Sequence, residues 1–321
     1  MVTWREFVFF SGPLTPFPEA RLHHADFPTV SGGWNAHFDA MSGSPQYSYS
    51  VIGNLDLDGC HFQGGQFFYD DGGPVARGLN VRNTVFDRCG VGIYDTGFYA
   101  EQFYDTGHSA QVNIANNLFY QCPILLFPVP GDSAGNNWTF SDNIFDNVLF
   151  YADAYGLYNG PVGANNHNAY VGMAGLGNGA NRLTPPAPAI TDPDLASLAY
   201  ETGPLGNFYL PAVATNLIGK GARLAGAAGE YHFTCLTSQT KAGAGQVSIG
   251  PHYLALASGG VPDSNGDGIP DFLADRNGSG SQDSDEPPWQ AASTGGLARP
   301  EDAGPASATG ESALGTAAKP D

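Results

Sequence analysis

Four segments between residues 55 and 151 repeat one pattern: LDLDGCHFQ from Leu55, LNVRNTVFD from Leu79, VNIANNLFY from Val112 and WTFSDNIFD from Trp138. Within each unit apolar residues alternate (Leu55/Leu57, Leu79/Val81, Val112/Ile114, Trp138/Phe140), the period of a strand with one buried face. A turn residue follows, Gly59, Asn83, Asn116 or Asp142, and then a phenylalanine, Phe62, Phe86, Phe119 or Phe145. The phenylalanines lie 24, 33 and 26 residues apart. A period in the twenties that varies while the strand pattern holds is that of a β-solenoid, in which loops absorb the extra residues.

Equivalent positions on successive coils stack about 4.8 Å apart, so the alignment predicts ladders. Leu57, Val81, Ile114 and Phe140 form one inward row and the four phenylalanines another. The row Asn83, Asn116 and Asp142 is expected to bond the backbone at a sharp bend, because these side chains tolerate unusual φ and offer local hydrogen bonds. Cys89 and Cys122 each fall three residues after their phenylalanine and should stack on adjacent coils. A pair of buried thiols is expected there, a disulfide being the alternative.

Composition agrees with a turn-rich β protein. The chain of 321 residues has 44 glycines and is 42% hydrophobic, enough for a core but poor in helix formers. Only 13% of residues are charged, 12 basic against 31 acidic for a net charge of -19, which argues against nucleic acid and anionic membranes as partners. No apolar run approaches the ~18 residues of a membrane span. The run Phe7 to Phe10 is too short for a signal-peptide core, so an export signal is expected to lie elsewhere and Met1 not to open the natural domain. Cys60, Cys89, Cys122 and Cys235 show no CxxC spacing, which leaves a structural zinc site without support.

The pattern LxVxNxxF followed by a hydrophobic strand resembles the right-handed parallel β-helix proteins of the pectate-lyase-like superfamily, clearly over residues 55–172. The resemblance implies an all-β, right-handed parallel β-helix over residues 1–257. Asn216 to Ala222 (NLIGKGA) and Val247 to Tyr253 (VSIGPHY) resemble the closing segment many bacterial β-helix proteins carry after their last coil, placed here at 197–257. Residues 1–50 read as an irregular earlier coil, 183–194 as a Pro-rich loop and 197–211 as a peripheral connection. Residues 291–321, rich in Ala, Gly, Ser and Pro, read as a disordered linker.

Between these regions, residues 258–290 carry a metal pattern. Oxygen-bearing side chains at every second position, followed by a glycine that turns the chain, form a calcium loop. The first copy offers Asp263, Asn265, Asp267, the Ile269 carbonyl, Asp271 and Asp275, with Ala274 at position 12; the second offers Asp275, Asn277, Ser279, the Ser281 carbonyl, Asp283 and Glu286. Asp275 is shared. Seven acids against the single base Arg276 repel one another until a cation relieves them. The stretch resembles thrombospondin type 3 and dockerin-like calcium repeats of secreted bacterial proteins, although Asn265, Ser279 and Ala274 depart from the pattern and should weaken affinity.

Candidates for catalysis are sparse. Asp87 and Asp146 share one outward position two coils apart, roughly 10 Å by inter-strand spacing and near the upper range for an inverting glycosidase pair. Tyr120 sits between them, and both are expected at the surface. Arg82 aligns above Asp58 as a plain cross-strand ion pair. Asp70 and Asp71 read as a turn, and His23, His24 and His108 lack any ligand or triad context. The expectation is therefore a secreted or cell-surface bacterial module, monomeric within a larger chain, structural or adhesive, with a Ca2+-binding spacer and with polysaccharide or surface glycan as the partner class. A polysaccharide lyase or glycosidase acting on the β-helix face is the alternative.

Overall fold

The computed structural model describes residues 19–29, 36–39, 54–70, 78–94, 111–127, 138–150, 164–173, 182–183, 191–258 and 260–290. It is a parallel β-helix. One sheet orders the strands Glu19–His23, Asn54–Asp58, Gly78–Arg82, Gln111–Ala115, Trp138–Ser141 and Ala164–Asn166. The second orders Asp26–Phe27, His61–Gln63, Val85–Asp87, Leu118–Tyr120, Ile144–Asp146, Ala169–Val171 and Asp194–Leu195. The third orders Ala36–Asp39, Gln66–Asp70, Gly90–Tyr94, Pro123–Phe127 and Leu149–Phe150. The first five coils each contribute one strand to each sheet, the sixth contributes to the first two and Asp194–Leu195 to the second alone among the described residues, and neighbouring coils pair in parallel.

The expected rows are present. Leu57, Val81, Ile114 and Phe140 align in register and are buried. The aromatic row is longer than the repeat suggested: Phe27, Phe62, Phe86, Phe119, Phe145 and Tyr170 stack with ring centroids 4.5, 5.2, 5.0, 5.0 and 5.5 Å apart. Stacking of this kind adds to the hydrophobic gain of burying each ring.

Two bends close each coil, and each needs a residue with positive φ. The first bend uses His24, Gly59, Asn83, Asn116, Asp142 and His167, the second Gly64, Arg88, Gln121, Asn147 and Gly172. Gly59 has a further reason, since a Cβ there would run into the His24 imidazole. Asparagine and aspartate tolerate this backbone region better than other side-chain-bearing residues.

The bend row does not bond local backbone as expected. That role falls to the next residue along, where Asn117, Asn143 and Asn168 form a buried amide ladder. Asn143 Oδ1 accepts the Asn117 backbone N–H and Nδ2 at 3.0 Å each, while its Nδ2 donates to the Ile114 carbonyl and to Asn168 Oδ1 at 2.9 Å each. Asp192 Oδ1 ends the ladder by accepting the Asn168 N–H at 2.9 Å. Thr84 occupies the same position one coil earlier, its N–H donating to Asn117 Oδ1 at 2.8 Å.

Cys60, Cys89, Cys122 and Cys235 are buried and free. Cys122 donates to the Phe86 carbonyl at 3.0 Å, and burial pushes its thiol up to about 12. The stretch read as a Pro-rich loop ends by returning to the sheet, because Asp194 and Leu195 pair with Tyr170 and Val171 as a further rung. The proposed disordered tail at 291–321 lies outside the described residues. Among the described residues no helix is long and apolar enough to cross a membrane.

Candidate functional site

Two regions carry chemistry worth weighing: the outer flank of the second sheet and the acidic loops. The flank differs from what its sequence suggested. Strands of three residues point their middle phenylalanine inward and their outer residues away, and the row Val85, Leu118, Ile144 and Ala169 is apolar. That row is buried in a second core formed with Leu210, Ala214, Leu217, Cys235 and Ile249. The segment that follows the last coil therefore runs along the side of the helix as a strap. The "peripheral" stretch 197–211 belongs to it, with a hairpin, Glu201–Gly203 against Gly206–Tyr209, that brings Phe208 over Tyr120 at 5.5 Å between centroids.

The strap is anchored on the bend row. Asn116 Nδ2 donates to the Ser248 carbonyl at 2.9 Å, and Arg223 Nη2 donates to Asn116 Oδ1 at 2.7 Å. Asp142 accepts the Ala222 N–H at 2.6 Å and faces Arg223 at 3.3 Å. Asn83 binds Glu230 Oε1 at 2.7 Å and accepts the His252 N–H at 3.2 Å. Arg82 pairs with Asp58 at 2.5 Å as the alignment implied, and it also donates to the Ala228 carbonyl at 3.0 Å. Glu230 is fully buried, and burial pushes it up to about 7 against the pull of the Arg82 charge.

Asp87 and Asp146 lie in one register with Tyr120 between them, but they are not surface groups, being 5% and 2% exposed. Arg88 holds Asp87 through two bonds of 2.9 and 3.0 Å. Tyr200 donates to Asp146 Oδ2 at 2.9 Å and Asn147 to its Oδ1 at 2.7 Å. Burial raises the Asp146 carboxyl, with these two donors opposing. For Asp146 the repeat could not reveal this, because Tyr200 lies 54 positions away.

The acidic loops share one frame. Asp263 accepts the Gly266 and Gly268 N–H groups at 2.8 and 2.9 Å, and Asp275 accepts those of Ser279 and Gly280 at 3.0 and 2.7 Å. Gly268 and Gly280, the sixth residue of each loop, have φ of 89° and 77°. Asn265 Oδ1 caps the Asp267 N–H and Asp267 Oδ1 the Ile269 N–H, at 3.0 and 2.8 Å. Asp271 instead binds Ser264 through N–H and hydroxyl at 2.7 and 2.6 Å. In the second loop Asn277 Nδ2 reaches Asp283 at 2.7 Å, Glu286 accepts the Asn277 and Asp283 N–H groups at 3.4 and 3.2 Å, and the Ser279 hydroxyl donates to the Ser281 carbonyl at 3.3 Å. Among the described residues no three His, Cys, Asp or Glu groups stand close enough together to hold an ion; the carboxylates face loop N–H groups.

The loops are also docked, which the reading of a spacer did not anticipate. Asp275 is buried, and its Oδ2 lies 2.9 Å from Nε2 of His232 in the strap. Tyr231 N–H donates to the Gly278 carbonyl at 3.2 Å, and a Cβ on Gly278 or Gly280 would strike the Gly229 backbone or the Tyr231 ring. Trp289 packs edge-on to His232 at 5.1 Å. No family model, no curated protein and no solved structure matches this chain.

Proposed function

We propose that the chain is a structural or adhesive β-helix module of a secreted or cell-surface bacterial protein, with residues 263–286 binding calcium and surface glycan as the partner class. The observation carrying the scaffold reading is the strap. It lies along the flank holding Asp146 and occupies that carboxylate through Tyr200, while Asp87, also buried, is held by Arg88 of its own coil. A group locked in internal bonds and shielded from solvent is poorly placed as a general acid or base.

The calcium reading rests on the donor set and on the loop frame. Hard oxygen ligands at alternate positions, with glycine at the sixth, suit a cation of this size, and its charge would offset the mutual repulsion of the acids. Asp263, Asn265, Asp267, the Ile269 carbonyl, Asp271 and Asp275 would serve one loop. Asp275, Asn277, Ser279, the Ser281 carbonyl, Asp283 and Glu286 would serve the other. The Asp275 contact with His232, together with the packing of Gly278 and Gly280 on Gly229 and Tyr231, makes the second loop the one through which an ion would tighten the strap.

Calorimetric titration of the whole chain with calcium should give a dissociation constant around 10⁻⁴ to 10⁻³ M, with magnesium a poor substitute. Thermal unfolding should move up with calcium and stop responding in Asp267→Ala plus Glu286→Ala. No heat up to ~10 mM, or unchanged binding in the double variant, would remove calcium from the proposal. Release of reducing ends or unsaturated products from a polysaccharide, abolished by Asp87→Asn or Asp146→Asn, would replace the scaffold with the lyase or glycosidase reading.

A further inference from the structure

The open face of the first sheet carries a second chain of amides. Its outward positions follow from the strand register: Asn54, Gly78 and Gln111 form one row, and Asp56, Asn80, Asn113 and Thr139 the next. Asn80 Nδ2 donates to Asp56 Oδ1 at 2.6 Å, Asn113 Nδ2 to Asn80 Oδ1 at 2.8 Å, and the Thr139 hydroxyl to Asn113 Oδ1 at 3.1 Å. All the donors point one way, toward a carboxylate, and a chain of this kind polarises along its length. It fixes each amide while using only one of the two Nδ2 protons of Asn80 and of Asn113. Unlike the ladder at the bends, this one is wet: Asn54, Gln111, Asn113 and Thr139 are exposed, and Asp56 and Asn80 are half-buried.

Gly78 opens a gap in the neighbouring row. Its φ is not in the left-handed region, so the backbone does not call for glycine; a Cβ there would instead stand 2.7 Å from Asn54 Oδ1. The Asn54 amide leans into the space of the missing side chain, and Gln111 stands on the other side of it. The result is a hollow of about 370 Å³ lined among others by Asn54, Asp56, Gly78, Asn80, Gln111 and Asn113, a volume in the range of small-molecule sites, ~300–1,000 Å³. Among the described residues no Lys, Arg or aromatic side chain lines it. Arg21, beside Asp56 in register, turns to Glu19 at 3.0 Å. Hydrogen bonding from His23, opposed by burial and aided by Asn80, holds the Asp56 carboxyl below its ordinary value, so it stays ionised and repels anions. A uronate, sulfate or phosphate is disfavoured, whereas a hydroxyl can accept a spare amide proton and donate to an amide oxygen.

From these features we propose that the hollow binds an uncharged oligosaccharide laid across the coils, with its hydroxyls bonded to the Asn54, Asn80, Gln111 and Asn113 amides. The bonds along the ladder hold Asn80 and Asn113 in place before a ligand arrives, so little side-chain freedom is lost on binding. This rests on the adhesive reading and gives it a location, on the part of the first sheet that the strap does not cover. With no aromatic ring to stack on, binding is weak and calls for a method suited to fast exchange.

The test is saturation-transfer NMR on the whole chain with cellotetraose, xylotetraose, mannotetraose and N-acetylchitotetraose as uncharged probes and tetragalacturonate as the charged one. At least one uncharged probe should respond, and tetragalacturonate should not. Gly78→Gln carries the amide row through the gap and fills the hollow, so it should weaken the response about tenfold or more. Asn113→Ala removes one amide at an exposed position and should weaken it about three- to tenfold, the effect of one hydrogen bond; it guards against a folding defect in the first variant. Silence from every uncharged probe, an equal or stronger response from tetragalacturonate, or a response undiminished in either variant would overturn the proposal. Adhesion of the chain to cellulose, xylan, mannan or chitin that survives both variants would refute the hollow while sparing the adhesive reading; no adhesion to any glycan would refute both.

Discussion

Replacing Asn143 tests the amide ladder at its centre. In Asn143→Ala two buried donors, the Asn117 N–H and one Asn117 Nδ2 proton, lose their acceptor. The Ile114 carbonyl and Asn168 Oδ1 each lose a donor, although Asn168 Oδ1 keeps the Asn143 N–H. Asn117, Asn143 and Asn168 are all fully buried, so water cannot replace the lost partners without opening the bend. At about 1–3 kcal/mol for each unsatisfied buried group, the two donors set an expected loss of ~2–6 kcal/mol. Asn143→Asp sharpens the test: one carboxylate oxygen can keep the Asn117 bonds, but the other is set against the Ile114 carbonyl and Asn168 Oδ1. Ionised, it should be worse than alanine. Its pKa in the folded state is then raised above the unfolded value, so the aspartate variant should regain stability relative to wild type as pH falls through the folded pKa. The control is Asn113→Ala on the solvent side of the first sheet, where the Asn113–Asn80 bond is exposed and the loss should stay below about 1 kcal/mol. Urea unfolding followed by tryptophan fluorescence reads all three. A loss at Asn143→Ala no larger than at Asn113→Ala, or an aspartate variant indifferent to pH, would refute the ladder as a determinant of coil stacking.

Phe119→Ala removes a ring stacked on both sides, 5.0 Å from Phe86 and 5.0 Å from Phe145, and should cost about 3–5 kcal/mol in the same unfolding experiment; a loss below about 1 kcal/mol would mean the ring is not in the core. Stability against pH should expose two opposed groups joined by Asn83. Glu230, raised from 4.5 to about 7, favours the folded state at low pH, and that contribution is lost as pH rises through about 7. His252, lowered from 6.5 to about 4, imposes no penalty above 6.5, and its contribution is lost as pH falls toward 4. Relative to wild type, Glu230→Gln should make stability climb more steeply with pH between these values, and His252→Phe should make it climb less; thermal melts across pH 4–7 check the two signs.

The coils could be read from the sequence because a solenoid repeats its contacts as it repeats its residues. Leu57, Val81, Ile114 and Phe140 align in the sequence and stack in space for one reason: each strand places every second side chain inward, and the next coil sits one strand spacing away. The positive-φ bends at Gly59, Asn83, Asn116 and Asp142 were visible for the same reason. Phe27 and Tyr170 were missed because Phe27 precedes the aligned segments, which begin at Leu55, and tyrosine takes the phenylalanine place at Tyr170. The turns of the acidic loops, with Gly268 and Gly280 at positive φ, were legible as a pattern, since their spacing is local.

What no local pattern carries is which outer face of a coil stays wet. Asp87 and Asp146 have the spacing of exposed carboxylates, and Asn83, Asn116 and Asp142 that of ordinary bend residues. Apart from Asp87, which Arg88 of the same coil holds, their partners Tyr200, Arg223, Glu230 and Ser248 come from a strap with no repeat of its own. The sequence alone determined the coil, its inward rows and the acidic loop frame, because those depend on neighbours at fixed offsets. Only the tertiary structure decided that the flank is covered and that Asp275 meets His232, because those contacts join positions that sequence spacing does not relate.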